Sequence, residues 1–284
     1  MSRIPIDAPI VIEDAPAPPA KNLLIPGLLR LDLSTRRRVF VCGDIHGCFA
    51  LLDARLAELS FDWTQDALIS LGDLIDRGPD SIGALAFLQR PSVWAVRGNH
   101  EQMLLDAWAN PESDAAARDL VTNGGDWFYN LPETAGPDSI SQNGIGNAFA
   151  ALPLAIEAKT PGGRTIGIVH AGVPGDNWRH IRELPAAVAF DPAVHWDNRT
   201  EPQAMAEHMV WDRRSIQDAL RFAHLGHEPA EFPPVAGIDH VFHGHNIVRR
   251  PVRLGNTTWL DTGAFQSGII TVIDADAWID SNTF

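Results

Sequence analysis

Arg38–Leu59 reads RVFVCGDIHGCFALLDARLAEL, and three rhythms follow one another inside it. RVFVC is a short run of β-branched and aromatic residues, the composition of a buried strand. CFALLDARLAEL is spaced for a helix instead. Leu51, Leu52, Leu56 and Leu59 share one side, and Asp53, Arg55 and Glu58 are left towards water. Between them, GDIHG sets a carboxylate and an imidazole two residues apart in a glycine-bounded loop. The cycle recurs downstream. ALISL (67–71) is a strand, GDLIDRGPD (72–80) a loop and SIGALAFLQ (81–89) a helix; VWAV, RGNH and EQMLLDAWA (93–109) repeat the order. Strand, loop and helix at this short period are βαβ units, whose crossovers join parallel strands. The first half is therefore expected to be a parallel or mostly parallel sheet.

Residues 110–160 are broken by NGGDW, LPETAGPDS and NGIGN, which suits a cap or helical excursion. Beyond Arg164, the runs TIGIVH, HMVWD, HVFHGH, TTWLD and GIITVI read as a second set of strands. The N-terminus contains DAPAPPA, so residues 1–35 are expected to be a disordered or loosely docked tail before a folded domain at 36–284. The formal charge of −14 argues against a nucleic-acid or anionic-membrane surface. There is no long apolar run, and no basic start followed by an apolar core as in a signal peptide, so a soluble cytoplasmic protein is expected. Cys42 and Cys48 are the two cysteines. They are too few for a disulfide scaffold and lack zinc spacing, so both are expected to pack as thiols.

Loops at the carboxyl ends of strands converge on the ligand crevice of an open α/β sheet. Here they read Gly43-Asp44-Ile45-His46-Gly47, Gly72 to Gly78 with Asp73, Asp76 and Arg77, Gly98-Asn99-His100-Glu101, His170-Ala171-Gly172, and His243-Gly244-His245-Asn246. One such loop alone is a glycine turn whose aspartate caps the next helix. Five in order bring aspartates, histidines and an asparagine to one crevice. Without cysteine, that donor set suits Mn²⁺, Fe or Zn²⁺ better than Ca²⁺ alone. Asp73 has two oxygens with which to bridge two cations. His243, two residues from His245 on one strand, faces the same side by alternation and competes with it as a donor.

Taken together, GDIHG, GDLIDRGPDS, GNHE, HAG and HGHN, in this order from Arg38 onward, resemble the phosphoprotein phosphatase family of dinuclear metallophosphoesterases. The resemblance is strongest to the bacterial and bacteriophage lambda-type serine/threonine branch. It implies an α/β fold, a calcineurin-like sandwich of two mixed β-sheets flanked by helices. It also implies two divalent cations, usually Mn²⁺, with Fe or Zn²⁺ fitting the same ligands. Position by position, Asp44, His46 and Asp73 would hold the first metal, and Asp73, Asn99, His170 and His245 the second. His245 is taken as the ligand over His243 because it stands in the family's GH pair. His100 matches the general acid and Asp76 the carboxylate that orients it. Arg77, Asn99 and Arg213 of MVWDRR match the phosphate-binding groups, with Arg214 next door as a competitor.

The implied reaction is hydrolysis of phosphate monoesters by a metal-activated hydroxide. The expected substrate is phosphoserine or phosphothreonine in a protein, with phosphotyrosine or a small phosphoester as alternatives. A sibling branch, the symmetrical dinucleoside tetraphosphate hydrolases, typically carries GDIQG and GNHD, so His46 and Glu101 favour the phosphatases. A non-catalytic binding module would be expected to have lost at least one of these positions, and all are filled. Asn246 stands where many relatives have threonine, and residues 176–236 depart too far to transfer substrate recognition. Trp94, Trp127, Trp211 and Trp259 are expected to pack, Asn123-Gly124-Gly125 to form a cap turn, and His180, His195, His208, His224 and His227 to lie at the surface or on helix ends.

Overall fold

The computed structural model describes residues 23–134, 140–190 and 198–281. In chain order its elements are β1 (Leu23–Pro26), β2 (Leu28–Asp32), β3 (Val39–Cys42), α1 (Phe49–Glu58), β4 (Ala67–Ser70), α2 (Gly83–Leu88), β5 (Val93–Ala95), α3 (Asn99–Ala109), α4 (Asp114–Thr122), a 3₁₀ turn at Asp126–Asn130, and α5 (Gln142–Ala150). The second half adds β6 (Ala155–Lys159), β7 (Thr165–Val169), α6 (Trp178–Arg182), β8 (Ala187–Phe190), α7 (Glu201–Trp211), α8 (Arg214–His224), β9 (His240–His243), β10 (Val252–Leu254), β11 (Thr257–Trp259), α9 (Ala264–Ser267), β12 (Val272–Asp274) and α10 (Ala275–Asp280).

The expected parallel sheet is present: β3, β4 and β5 run parallel, and β12 adds an antiparallel edge beside β3. A second, mixed sheet has the order β10-β11-β9-β7-β6-β2. Strand alternation divides the apolar residues between two faces. Val39, Val41 and Ile69 of the first sheet meet Ile156, Ile166, Ile168 and Phe242 of the second in one buried cluster. Phe40, Cys42 and Leu68 point the other way, onto α1, α2 and α3. On the far side, Val169 and Val241 pack against Trp178, Ile181, Met209 and Val210 of α6 and α7. The architecture is a sandwich with helices outside both sheets.

Two sequence expectations are corrected. Residues 23–32 do not belong to a tail: β1 pairs antiparallel with β8, and β2 pairs parallel with β6 from Leu28↔Ala155 to Asp32↔Lys159. Their apolar alternation, with Leu23, Ile25, Leu31 and Leu33 buried, adjoins a proline-rich stretch that masked it. Residues 1–22 and His195 lie outside the described residues. HMVWD is not a strand but the end of α7. Thr200 and Gln203 close a capping box, a proline sits in the first turn, and buried Ala206, Met209 and Val210 follow at helical spacing. Both cysteines are free and buried, and burial pushes the Cys42 thiol up to about 12. Among the described residues no helix is long and apolar enough to cross a membrane.

Candidate active site

The carboxyl ends of β3, β4 and β5 in one sheet and of β7 and β9 in the other open at the same end of the sandwich. Asp44, His46, Asp73, Asp76, Asn99, His100, His170 and His245 meet there, all buried. The backbone is strained where they sit. Eight described residues other than glycine have positive φ, and His46, Asp73, Asp76, Arg77 and His245 are five of them, so strain is concentrated in the loops that aim these side chains. Close approach is built in as well. A Cβ at Gly244 would overlap Asp44 Oδ1, and the His245 backbone N–H donates to the same carboxylate at 3.0 and 3.2 Å.

Two tight donor groups share Asp73: His46, Asp73 and His100, and Asp73, His170 and His245. Hydrogen bonds fix which ring nitrogens are bare. His46 Nδ1 donates to Ile75 O at 2.8 Å, so its Nε2 presents a lone pair 3.6 Å from Asp73 Oδ2. His170 Nδ1 donates to Leu71 O at 2.7 Å, and its bare Nε2 lies 3.0 Å from Asn99 Oδ1 and 3.5 Å from Asp73 Oδ1. His245 Nδ1 lies 2.7 Å from the same asparagine oxygen. At His46 and His170, bare ring nitrogens facing carboxylate and amide oxygens this closely call for a positive charge between them, and the carboxylate, imidazole and amide set suits a divalent transition metal. Asp44 is in neither trio. It lies beside Asp261, and burial together with the Asp261 and Asp73 charges raises it well above the usual carboxylate range, while Asp261 rises to about 6. A buried cluster of carboxylates is likewise what a cation would relieve.

Electrostatics separates the imidazoles into two kinds. Burial lowers His46 to about 4, His245 to about 3, and His170 as well, so all three are neutral donors near pH 7. His100 goes the other way. Burial opposes its charge, but the Asp73 and Asp76 carboxylates outweigh burial and raise it. Its Nδ1 is 2.7 Å from Asp76 Oδ2, and its buried Nε2 has no hydrogen-bond partner. An imidazole whose charged form is favoured by two carboxylates, with Nδ1 held and Nε2 free, is arranged to give up a proton.

Arg77 is exposed beside this cluster, its guanidinium over the Phe265 ring at 5.1 Å and Nη1 3.4 Å from His46 Nε2. Arg213 donates to Asn246 Oδ1 at 3.3 Å, next to His245, whereas Arg214 begins α8. His243 does not join the donors: it is buried and stacked on Trp259 at 5.6 Å. His180 bonds Pro174 O, His224 and His227 are exposed, and His208 sits 3.6 Å from Asp212. Trp127 does more than pack, since its Nε1 donates to Asp76 Oδ1 at 2.8 Å. Sequence reasoning passed over Asp261, although LDTGA follows a strand in the same manner as the other loops. It used Glu101 only to separate branches, whereas that carboxylate accepts from the backbone of both neighbouring loops.

Residues 37–249 match the family model for calcineurin-like phosphoesterases. The chain is 33% identical over 243 residues to serine/threonine-protein phosphatase 1 of Salmonella typhimurium, covering 86% of this chain and 94% of that protein. It is 30% identical to serine/threonine-protein phosphatase 2 of Escherichia coli K12, over 82% of this chain and 90% of that one. A symmetrical bis(5'-nucleosyl)-tetraphosphatase of Pectobacterium atrosepticum is 46% identical over 72 residues, a quarter of each chain. The fold resembles a solved structure assigned as a diadenosine tetraphosphatase, with TM-score 0.50 and 21% identity, over 88% of this chain and 98% of that one. With the matched segment spanning the loops of Asp44, Asp73, Asn99, His170 and His245, the chain belongs to the calcineurin-like phosphoesterases and is a metallophosphoesterase.

Proposed function

We propose that the protein is a protein phosphatase acting on phosphoserine and phosphothreonine, with two Mn²⁺ ions as its cofactor. The observation that carries this reading is the extent of similarity. Two serine/threonine-protein phosphatases align over nearly their whole length, while the tetraphosphatase matches span a quarter to about half of theirs. Asp44, His46 and Asp73 would hold one cation, and Asp73, Asn99, His170 and His245 the other. When bound, the pair supplies positive charge against the phosphate and acidifies water. Arg77 and Arg213 bind the phosphate oxygens, with Phe265 and Asn246 setting where the two guanidinium groups point. Asn99 turns its side chain into the same pocket from the first turn of α3. His100 gives the Nε2 proton to the departing alkoxide, and Asp76 holds the ring at Nδ1 and stabilises its charge.

The test is kcat/KM of the chelator-stripped protein reloaded with Mn²⁺, on a phosphoserine peptide and on diadenosine tetraphosphate side by side. The expected result is a preference for the peptide of about tenfold or more, equivalent to ~1.4 kcal/mol in transition-state discrimination. A reversed preference moves the protein to the tetraphosphatase branch.

A further inference from the structure

Asp76 is fully buried, and each of its carboxylate oxygens has a different partner. Oδ2 faces His100 Nδ1 at 2.7 Å, while Oδ1 accepts from the indole N–H of Trp127 at 2.8 Å. The Asp76 backbone N–H donates to Ser81 Oγ at 2.8 Å. Trp127 comes from the 3₁₀ turn after α4, 51 residues along the chain from Asp76. That turn is held by its own middle residue and by the chain just before it. Phe128, next to Trp127, is buried in the first-sheet cluster, and Gly124 lies so close to the strained loop that a Cβ there would be 2.8 Å from Arg77 N.

The rotation of a carboxylate about its own bond is soft, with broad minima, so one hydrogen bond leaves its plane loosely set. Two bonds from different elements fix it. The second donor is neutral, so it satisfies Oδ1 without a cation that would compete with His100 for the negative charge. We infer that Trp127 is a positioning residue of the reaction: its indole N–H fixes the plane of Asp76, and through it the ring of His100, so that the cap turn governs proton delivery to the leaving group. This rests on His100 acting as the general acid.

The test compares wild type, W127F, H100N and the double variant, all loaded with Mn²⁺, on phenyl phosphate and 4-nitrophenyl phosphate, with Mn²⁺ affinity and Tm measured alongside. 4-Nitrophenolate departs with little help from a proton; phenolate needs one. W127F keeps an aromatic ring and removes the donor. Its kcat on phenyl phosphate is expected to fall about 10- to 50-fold, a fraction of the ~10² to 10⁴ available from general-acid help. On 4-nitrophenyl phosphate it should fall less than about threefold, with KM and Mn²⁺ affinity unchanged. In the H100N background W127F should add less than about twofold, because a residue acting through His100 has nothing left to act on. Equal losses on both substrates, full additivity with H100N, or no loss at all would overturn the role of Trp127. The parent reading fails separately: H100N would then retain phenyl phosphate activity or lose both substrates alike, whatever W127F does. W127L, which also lacks a donor, gives the same comparison if W127F does not fold.

Discussion

Glu101 shows what one buried side chain does for the geometry of its neighbours. Its Oε2 accepts the backbone N–H of Asp73 at 3.0 Å and of Gly98 at 2.8 Å, and Oε1 accepts that of Leu74 at 2.7 Å. Two loops that carry proposed metal ligands, after β4 and after β5, are thereby tied to one carboxylate. Burial, and then the Asp73 charge, push that carboxyl up to about 7, against the bonds from Gly98 and Leu74 that stabilise its anion. Glutamine has the same shape but turns an NH₂ towards one of these donors, leaving a buried N–H unmatched at a cost of roughly 1–3 kcal/mol. Because the loop affected carries Asp73, E101Q is expected to weaken Mn²⁺ binding about 10- to 100-fold, the usual range for partners that orient metal ligands. A chelator-competition titration measures it; a lower Tm with unchanged affinity would make Glu101 a purely structural residue. The sequence marked Glu101 only as a branch feature, because which loops touch is decided by tertiary contact. His46 and His100 illustrate the same limit: both are imidazoles in glycine-rich loops, and only their surroundings make burial lower one and the Asp73 and Asp76 carboxylates raise the other.

At the scale of elements, the strands that feed the site are pinned at their far ends. Asp66, immediately before β4, accepts from Arg37 Nε at 2.8 Å, from Arg38 Nη2 at 2.7 Å and from the Asp62 N–H at 2.9 Å, so the starts of β3 and β4 are clamped in register. Burial alone would raise Asp66, but the bonds from the two arginines outweigh it and hold the carboxyl well below the usual range. D66N keeps an acceptor and loses the charge. It is expected to destabilise the fold by about 2 kcal/mol, which for a chain of this length is roughly 4–8 °C in Tm, with kcat/KM within about twofold of wild type. A carboxyl whose folded-state pKa is depressed contributes its stability above the unfolded value of about 3.9 and loses it as the pH falls further. The gap in Tm between wild type and D66N is therefore expected to be constant near neutrality and to narrow below about pH 4; a gap that persists in acid would mean the clamp works by shape alone. The elements read most easily were those that are apolar and repeated, β3 to α3. The end of the helix at 201–211 was misread because Val210 and Trp211 are strand formers in isolation, and only its capping residues distinguish it. Strands β1 and β2 were missed for the opposite reason, their alternation being short and next to prolines.

Across the whole molecule, the donor set is divided between the two sheets. Asp44, His46, Asp73 and Asn99 follow strands of the first, and His170 and His245 follow strands of the second. The order of the motifs made this division legible in the sequence, since each donor follows its own strand. The cap turn that reaches back to Asp76 was not legible, because nothing local to NGGDW reveals its partner. A cation held by both groups joins the sheets at their open end and binds the folded chain alone, so its binding free energy adds to stability by RT ln(1 + [L]/Kd), about 2.7 kcal/mol at a hundredfold excess over Kd. At roughly 2–4 °C per kcal/mol, chelation is expected to lower Tm by about 5–10 °C and Mn²⁺ to restore it. H245A separates the cation from the rest of the fold. It removes a second-sheet donor whose burial already disfavours its charge, so the chelated variant should unfold close to the chelated wild type while losing most of the Mn²⁺ increment. Calorimetry of both proteins with and without the ion reads this directly. If H245A gained as much from Mn²⁺ as wild type does, the cation would be held by the first sheet alone, and the second sheet would contribute walls rather than ligands.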